Sequence, residues 1–212
     1  MCAAAIIVLL ATERLALRRF TAADLDNLVA LDGDPDVMRF ISGEPTPRDV
    51  IGERILPRFC QYDERFPVFG FWAVVERTTG RFLGWLSFRP RGDMTAHGEV
   101  EIGFRLRRAA WGQGYATEGA RALIRVGFAE LGVRRVSAVT YEENVVARRV
   151  LEKLGFRLTR RFRMTLEDLV ATGTFHVRSE KLWDGDDLEY TLDKSEWEGQ
   201  QTTGDHRRIP GQ

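Results

Sequence analysis

From Val100 to Leu106 the apolar residues Val100, Ile102, Phe104 and Leu106 alternate with the more polar set Glu99, Glu101, Gly103 and Arg105. Period two predicts a strand with one buried face. The same alternation puts Leu15 and Leu17 on one face of an earlier strand spanning Arg14–Arg19. Phe71–Glu76 and Arg81–Phe88 flank Thr78-Thr79-Gly80 and predict a hairpin. Arg135–Tyr141, Phe156–Phe162, Thr174–Leu182 and Leu188–Leu192 complete the strand-like runs. Elsewhere the spacing lengthens to three and four. Leu25, Leu28, Val29 and Leu31 form a helical stripe behind the start signal Thr21-Ala22-Ala23-Asp24, and Gly33 stops it. Asp34-Pro35 opens a short helix to about Phe40. Thr46-Pro47 opens another to about Leu56, which Pro57 is expected to kink or end. A longer stripe runs from Ala116 through Leu123, Ile124 and Phe128 to Leu131 before Gly132. Val146, Val150, Leu151 and Leu154 mark a helix from Asn144 closed by Gly155. Met164–Val170 shows no clear period. Ala3–Ala11 is apolar but too short to span a bilayer, and reads as a leader into the first strand. The chain from Gly199 is polar and predicted to be disordered. The expectation is one α/β domain over 13–198, with a leader at 1–12 and a tail at 199–212.

Charge and cysteine content remove several function classes. Lys+Arg and Asp+Glu both number 31 in 212 residues, which argues against a dedicated nucleic-acid binder. Arg148, Arg149 and Lys153 are basic, but a strand precedes their helix, unlike the paired helices of a DNA-reading motif. Cys2 and Cys60 read as reduced thiols of a cytoplasmic protein, and His97, His176 and His206 lack ligand spacing, so no metal site is expected. The acidic run Asp184-Gly185-Asp186-Asp187 lacks the alternating ligands of a calcium loop and reads as a solvated turn.

The chemistry-bearing stretch is the passage from the Val100–Leu106 strand through Gly112-Gln113-Gly114 into the helix at Ala116. A strand, a glycine turn and a helix start collect unsatisfied N–H groups at one point, where the helix dipole also favours an anion. Two readings of the glycines stand side by side, a phosphate cradle and an ordinary strand-to-helix turn.

Trp111-Gly112-Gln113-Gly114-Tyr115-Ala116-Thr117-Glu118 resembles the acyl-CoA pyrophosphate loop of the GNAT acetyltransferase superfamily, in the form seen in its RimJ/RimL-like branch. The general pattern has Gln or Arg where this chain has Trp111. Asn144 to Phe156 resembles a second family segment, with Ala147 in place of its usual Ser, and Asp187 to Trp197 resembles the closing strand and tryptophan. The resemblance implies a GNAT fold: a central mixed sheet splayed around a CoA gap, with flanking helices. It implies direct transfer from acetyl-CoA to a primary amine, with a protein or peptide N-terminal amine favoured. A small-molecule amine or amino sugar is the alternative, and a non-catalytic acyl-CoA sensor is a further rival. Phe104 and Leu106 are expected to polarise the thioester carbonyl through backbone N–H groups. Gly112, Gln113, Gly114, Tyr115, Ala116 and Thr117 are expected to hold the pyrophosphate, with Asn144 and Arg149 also on the coenzyme side. Asn144 equally fits a helix N-cap. Glu101, then Glu99, are the candidate bases, against the alternative of surface charges paired to arginine. Tyr141 is the candidate acid or a packing residue, His176 is a weaker acceptor-side candidate, and Glu118 reads as structural. The acceptor pocket is expected from Phe40–Thr46 and Phe175–Asp187, and a homodimer could use Trp197. Neither nucleic acid nor membrane is expected as a partner.

Overall fold

The computed structural model describes residues 8–61, 68–91, 98–163, 165 and 185–205. His176, the Thr174–Leu182 run and most of the Phe175–Asp187 segment lie outside these residues. The strands are β1 (Val8–Ala11), β2 (Leu15–Arg19), β3 (Gly70–Glu76), β4 (Phe82–Pro90), β5 (Glu99–Leu106), β6 (Arg135–Tyr141), β7 (Arg157–Phe162) and β8 (Asp187–Asp193). The helices are α1 (Leu25–Asp32), α2 (Pro35–Met38), α3 (Arg48–Val50), α4 (Leu56–Phe59), α5 (Tyr115–Glu130), α6 (Val145–Lys153) and α7 (Lys194–Asp205).

Among the described residues all eight strands join one mixed sheet in the order β1-β2-β3-β4-β5-β6-β8-β7. β1 to β5 form an antiparallel meander. β5 and β6 are parallel, which requires a crossover, and α5 supplies it. β8 enters between β6 and β7, antiparallel to both. The sheet has a core on each face. On one, Leu15, Trp72, Leu86, Phe88 and Ile102 meet Leu123, Ile124 and Phe128 of α5, Leu151 of α6 and Trp197 of α7. On the other, Ala73 and Phe82 meet Leu28, Leu31, Ile51, Ile55 and Phe59 from the α1–α4 layer. Gly119 and Gly127 let α5 lie close against β4: a Cβ there would stand 2.9 Å from Leu86 and 2.6 Å from the Phe88 ring.

Three local features depart from simple periodicity. In β4 the register skips Leu83, so Val74 pairs with Gly84 and Val75 with Phe82. This bulge reverses the alternation, leaving Leu83 and Leu86 in the α5 core and Trp85 against the α1–α4 layer. Gly84 makes it possible, with φ +142° and only 2.1 Å between an added Cβ and the Arg105 carbonyl oxygen. Pro57 does not end its helix. Ile51–Ile55 is π-helical, Leu56 N–H reaches back to Ile51 O, and Pro57 falls in the first turn of α4, where its missing N–H costs little. At the chain ends, Val8–Ala11 is a paired strand where a leader was expected. α7 continues to Asp205, past the Gly199 boundary of the expected tail. Trp197 is buried beside Phe128, ring centroids 6.1 Å apart, so it is unavailable for a dimer contact.

Candidate functional site

β5 and β6 pair only at Glu99–Arg135, Val100–Val136 and Glu101–Ser137. Beyond Glu101, β5 keeps its ladder to β4 as far as Leu106, and β6 keeps its ladder to β8 as far as Tyr141. The two strands therefore splay, and their facing edges carry backbone groups with no ladder partner across the gap. Phe104 and Leu106 lie on the β5 side of this gap and Tyr141 at the end of the β6 side.

The chain leaves β5 through a 3-10 turn at Arg108–Ala110 and two glycines in the left-handed region, Gly112 at φ 73° and Gly114 at φ 80°. Gly114 is the residue before α5, whose ladder begins with Glu118 N–H on Gly114 O. The amides of Tyr115, Ala116 and Thr117 precede that first rung and have no carbonyl one turn back. An added Cβ on Gly112 would meet nothing within 4 Å, so the approach to the loop is open.

The loop is held from outside. Arg14, in the β1–β2 turn, donates to Gln113 O at 2.9 Å, pairs with Glu118 at 2.6 Å and lies 4.5 Å over the Tyr115 ring. Glu118 also accepts from the Arg14 N–H and the Thr12 hydroxyl. Burial alone would raise the Glu118 carboxyl, but the hydrogen bonds from Thr12 and Arg14, with the Arg14 charge, hold it below the ordinary glutamate value. The Tyr115 hydroxyl donates to Glu76 of β3 at 2.8 Å. Trp111, at the position that departs from the general pattern, donates its indole N–H to Leu106 O at 2.7 Å and so closes the loop on the strand end.

The carboxylates are separated by the register. Glu101 sits at the vertex where the gap opens, with Oε1 2.5 Å from Arg89 Nη2. Glu99 lies two residues into the closed ladder, about 7 Å away along the strand, beside Arg135 at 3.6 Å. Between Glu101 and Arg105 on the same face, Gly103 lets Ser87 of β4 pack close: a Cβ there would be 2.8 Å from Ser87 Oγ and 3.7 Å from the Trp85 ring. Gly103, Ser87, Trp85 and Arg89 were not foreseen. Gly103 showed only as a polar-face position, and Arg89 comes from a neighbouring strand.

Asn144 caps α6, its side chain accepting from Ala147 N–H at 3.2 Å, so the capping role is real. Arg149 is exposed on α6. It is Arg148 that turns inward, to Tyr190 Oη at 3.2 Å and Glu142 O at 3.0 Å. Burial, then the facing Asp187, raises the Tyr141 hydroxyl above its ordinary value, which keeps it protonated. The Phe40–Thr46 loop ends with Thr46 N–H on Asp32 O, and the Asp32 side chain holds Arg105 of β5 at 2.6 Å. The loop is thereby tied to the gap-lining strand. Of the second expected pocket segment only 185–187 are described. Asp187 starts β8 opposite Tyr141, Asp186 just before it accepts from Glu142 N–H, and the acidic run ends in a strand with Asp187 buried. No group of three His, Cys, Asp or Glu among the described residues is placed to hold a metal. No described helix is long and apolar enough to cross a membrane.

A family model for the acetyltransferase (GNAT) domain matches residues 14–157. The uncharacterized protein YkkB of Bacillus subtilis is 32% identical over 155 residues, 73% of this chain and 88% of that one. FsC-acetyl coenzyme A-N(2)-transacetylase of Aspergillus fumigatus is 34% identical over 155 residues, 68% of this chain and 63% of that one. The crystal structure of a GNAT-family acetyltransferase from Bacillus anthracis superposes with a TM-score of 0.69 at 22% identity, covering 90% of this chain and 98% of the other.

Proposed function

The chain belongs to the GNAT acetyltransferase family and is an acyltransferase, and from that premise we propose that it acetylates the N-terminal amine of a protein or peptide, in the manner of the RimJ/RimL-like branch, by direct transfer within a ternary complex. The observation that carries the reading is the interrupted β5–β6 ladder, with a glycine loop at one end and a carboxylate at its vertex. The arrangement suits acetyl-CoA, which supplies the acetyl group as a thioester. Unpaired strand edges suit its pantetheine amides, and the first-turn amides of α5 suit its pyrophosphate.

Each residue then has one task. Gly112, Gln113 and Gly114 bring the backbone close to the phosphates, and the amides of Tyr115, Ala116 and Thr117 face them. Backbone N–H groups near Phe104 and Leu106 polarise the thioester carbonyl. Glu101, directly or through a water, takes the proton that the amine must lose as its nitrogen bonds to the acetyl carbon. The carbon–sulfur bond breaks, and the leaving thiolate is protonated. Ala147 has no hydroxyl for that purpose, and Tyr141, held protonated at the end of β6, is the candidate donor. Asn144 and Arg149 flank the coenzyme side from α6, and Glu99 stands behind Glu101 as the second carboxylate.

The test is steady-state acetylation of a peptide panel by the wild type and Glu101→Gln. The expected outcome is a fall in kcat of about 10²-fold or more, with the acetyl-CoA KM little changed. Equal kcat in the two proteins would remove Glu101 from the mechanism. Turnover of free amines with none of any peptide would overturn the peptide acceptor.

A further inference from the structure

Among the described residues four large apolar side chains stand exposed: Trp111 at 40%, Val145, Val146 and Leu158. Single exposed apolar residues are ordinary, but three of these four flank one opening. Trp111 follows the outer end of β5, and Val145 and Val146 open α6 just past the outer end of β6. The backbone shows how this opening is built. Arg91 N–H reaches Glu99 O and Arg107 N–H reaches Leu83 O, so the odd-numbered residues of β5 turn their peptide groups to β4. Ile102, Phe104 and Leu106 therefore turn theirs to the split. The last of these carbonyls, Leu106 O, accepts from the Trp111 indole, and across the split Tyr141 O accepts from Asn144 N–H. Each edge is thus capped at its outer end. The cap on β5 carries an aromatic ring that is pinned by its N–H and still exposed.

From this arrangement we infer that Trp111 on one lip, with Val145 and Val146 on the other, clasps the branched pantoyl end of the coenzyme, where a carbon bearing two methyl groups separates the pyrophosphate from the pantetheine amides. The inference rests on the acetyl-CoA reading above and deepens it. Chain length decides which part of the coenzyme lies at the lips. The dimethyl carbon is two bonds from the phosphate ester oxygen, so a pyrophosphate on the amides after Gly114 keeps that carbon at the mouth. From the same oxygen to the sulfur the extended chain measures about 14 Å, the reach of about four residues. Leu106 to Glu101 spans about 17 Å of strand, so the two amides lie inside the split, with the thioester further in. The amides find peptide partners there. The methyl groups offer no hydrogen bond and gain by leaving water against an apolar surface. Because the indole bond fixes the ring before any ligand arrives, little ordering is left to oppose binding. The glutamine or arginine of the general family pattern would bring no such ring to position 111.

The experiment measures calorimetric affinities for CoA and for adenosine 3′-phosphate 5′-diphosphate, which keeps the pyrophosphate and lacks the pantetheine arm. Wild type, Trp111→Gln, Trp111→Phe and Val146→Ser are compared, with thermal unfolding to show that each is folded. The expected result is that Trp111→Gln weakens CoA by about tenfold and leaves the nucleotide unchanged. Trp111→Phe, which keeps a ring, retains more of the CoA affinity than Trp111→Gln. Val146→Ser, on the opposite lip, weakens CoA several-fold and again spares the nucleotide. Equal weakening of both ligands by Trp111→Gln would show that the tryptophan only braces the glycine loop, and the inference falls. It falls also if Trp111→Gln or Val146→Ser binds CoA as tightly as the wild type. In each of these cases coenzyme binding itself stands. If the wild type binds neither CoA nor the nucleotide, the coenzyme reading fails and the inference with it.

Discussion

Glu118 shows how one residue type can serve two masters in the first turn of a helix. Its carboxylate suits the dipole there, yet it turns away from the loop mouth to bind Thr12 and Arg14. It thus ties the glycine loop to the β1–β2 turn. Arg14 is 43% exposed, so the ion pair is discounted for solvent screening to about 1 kcal/mol. In Glu118→Gln the acetyl-CoA KM is expected to rise several-fold while kcat at saturation changes little, since the loop loses its brace and the transfer site is untouched. The pH dependence has a definite sign. The folded carboxyl lies below the ordinary glutamate value, so its contribution is complete above about pH 4.3 and is lost as pH falls through the depressed folded value. Between pH 6 and 3 the melting temperature of the wild type should therefore fall more steeply than that of Glu118→Gln. Parallel curves would show that the brace carries no stability. The loop itself was legible because Gly112 and Gly114 are separated by one residue before a helical period. The brace was not, because Arg14 and Glu118 are 104 positions apart.

At the level of elements, the buried pair Asp32–Arg105 joins the end of α1 to β5, with side chains only 1% and 8% exposed. Removing one partner leaves a charge uncompensated in the interior, so Asp32→Ala should lower unfolding stability by about 3 kcal/mol or more, measured by urea denaturation. Replacing both with apolar residues of similar volume should cost less. Asp32 also anchors the Phe40–Thr46 loop, its backbone carbonyl accepting from Thr46 N–H. Strands and helices with sustained period, such as Val100–Leu106 and the α5 stripe, were readable from the chain. The β4 bulge was not, because it depends on how closely Gly84 meets the Arg105 carbonyl across the ladder. The π-helical turn before Pro57 was also hidden, since a proline inside a helical period usually signals an end. Glu99 and Glu101 could be placed on one face by alternation. Which of them stands at the vertex depends on where the β6 ladder stops, and no local pattern encodes that.

On the scale of the whole molecule, the sheet is one body with two unlike faces. The α5 face is a continuous apolar core from Leu15 to Trp197. The opposite face begins as a core under α1–α4 and gives way to Trp85, Arg89, Glu101 and Gly103 beside the gap. On the proposed reading the fold separates coenzyme and acceptor: the glycine loop that opens α5 takes the coenzyme's phosphates at one end of the gap, and the acceptor meets the face that α5 does not cover. Within this otherwise continuous sheet, Ile102–Leu106 and Ala138–Tyr141 have no rungs to each other. On the proposed reading the coenzyme takes the place of the missing rungs, and isotope exchange tests it. Amides on the facing edges of β5 and β6 should exchange with deuterated water quickly in the free protein and slow markedly with acetyl-CoA. Those paired within β3–β4 should scarcely change. Equal slowing throughout the sheet would mean that the ligand stabilises the whole fold without occupying the split. On that reading the seam is where the sheet lacks its own rungs and where a ligand finishes its rigidity from outside.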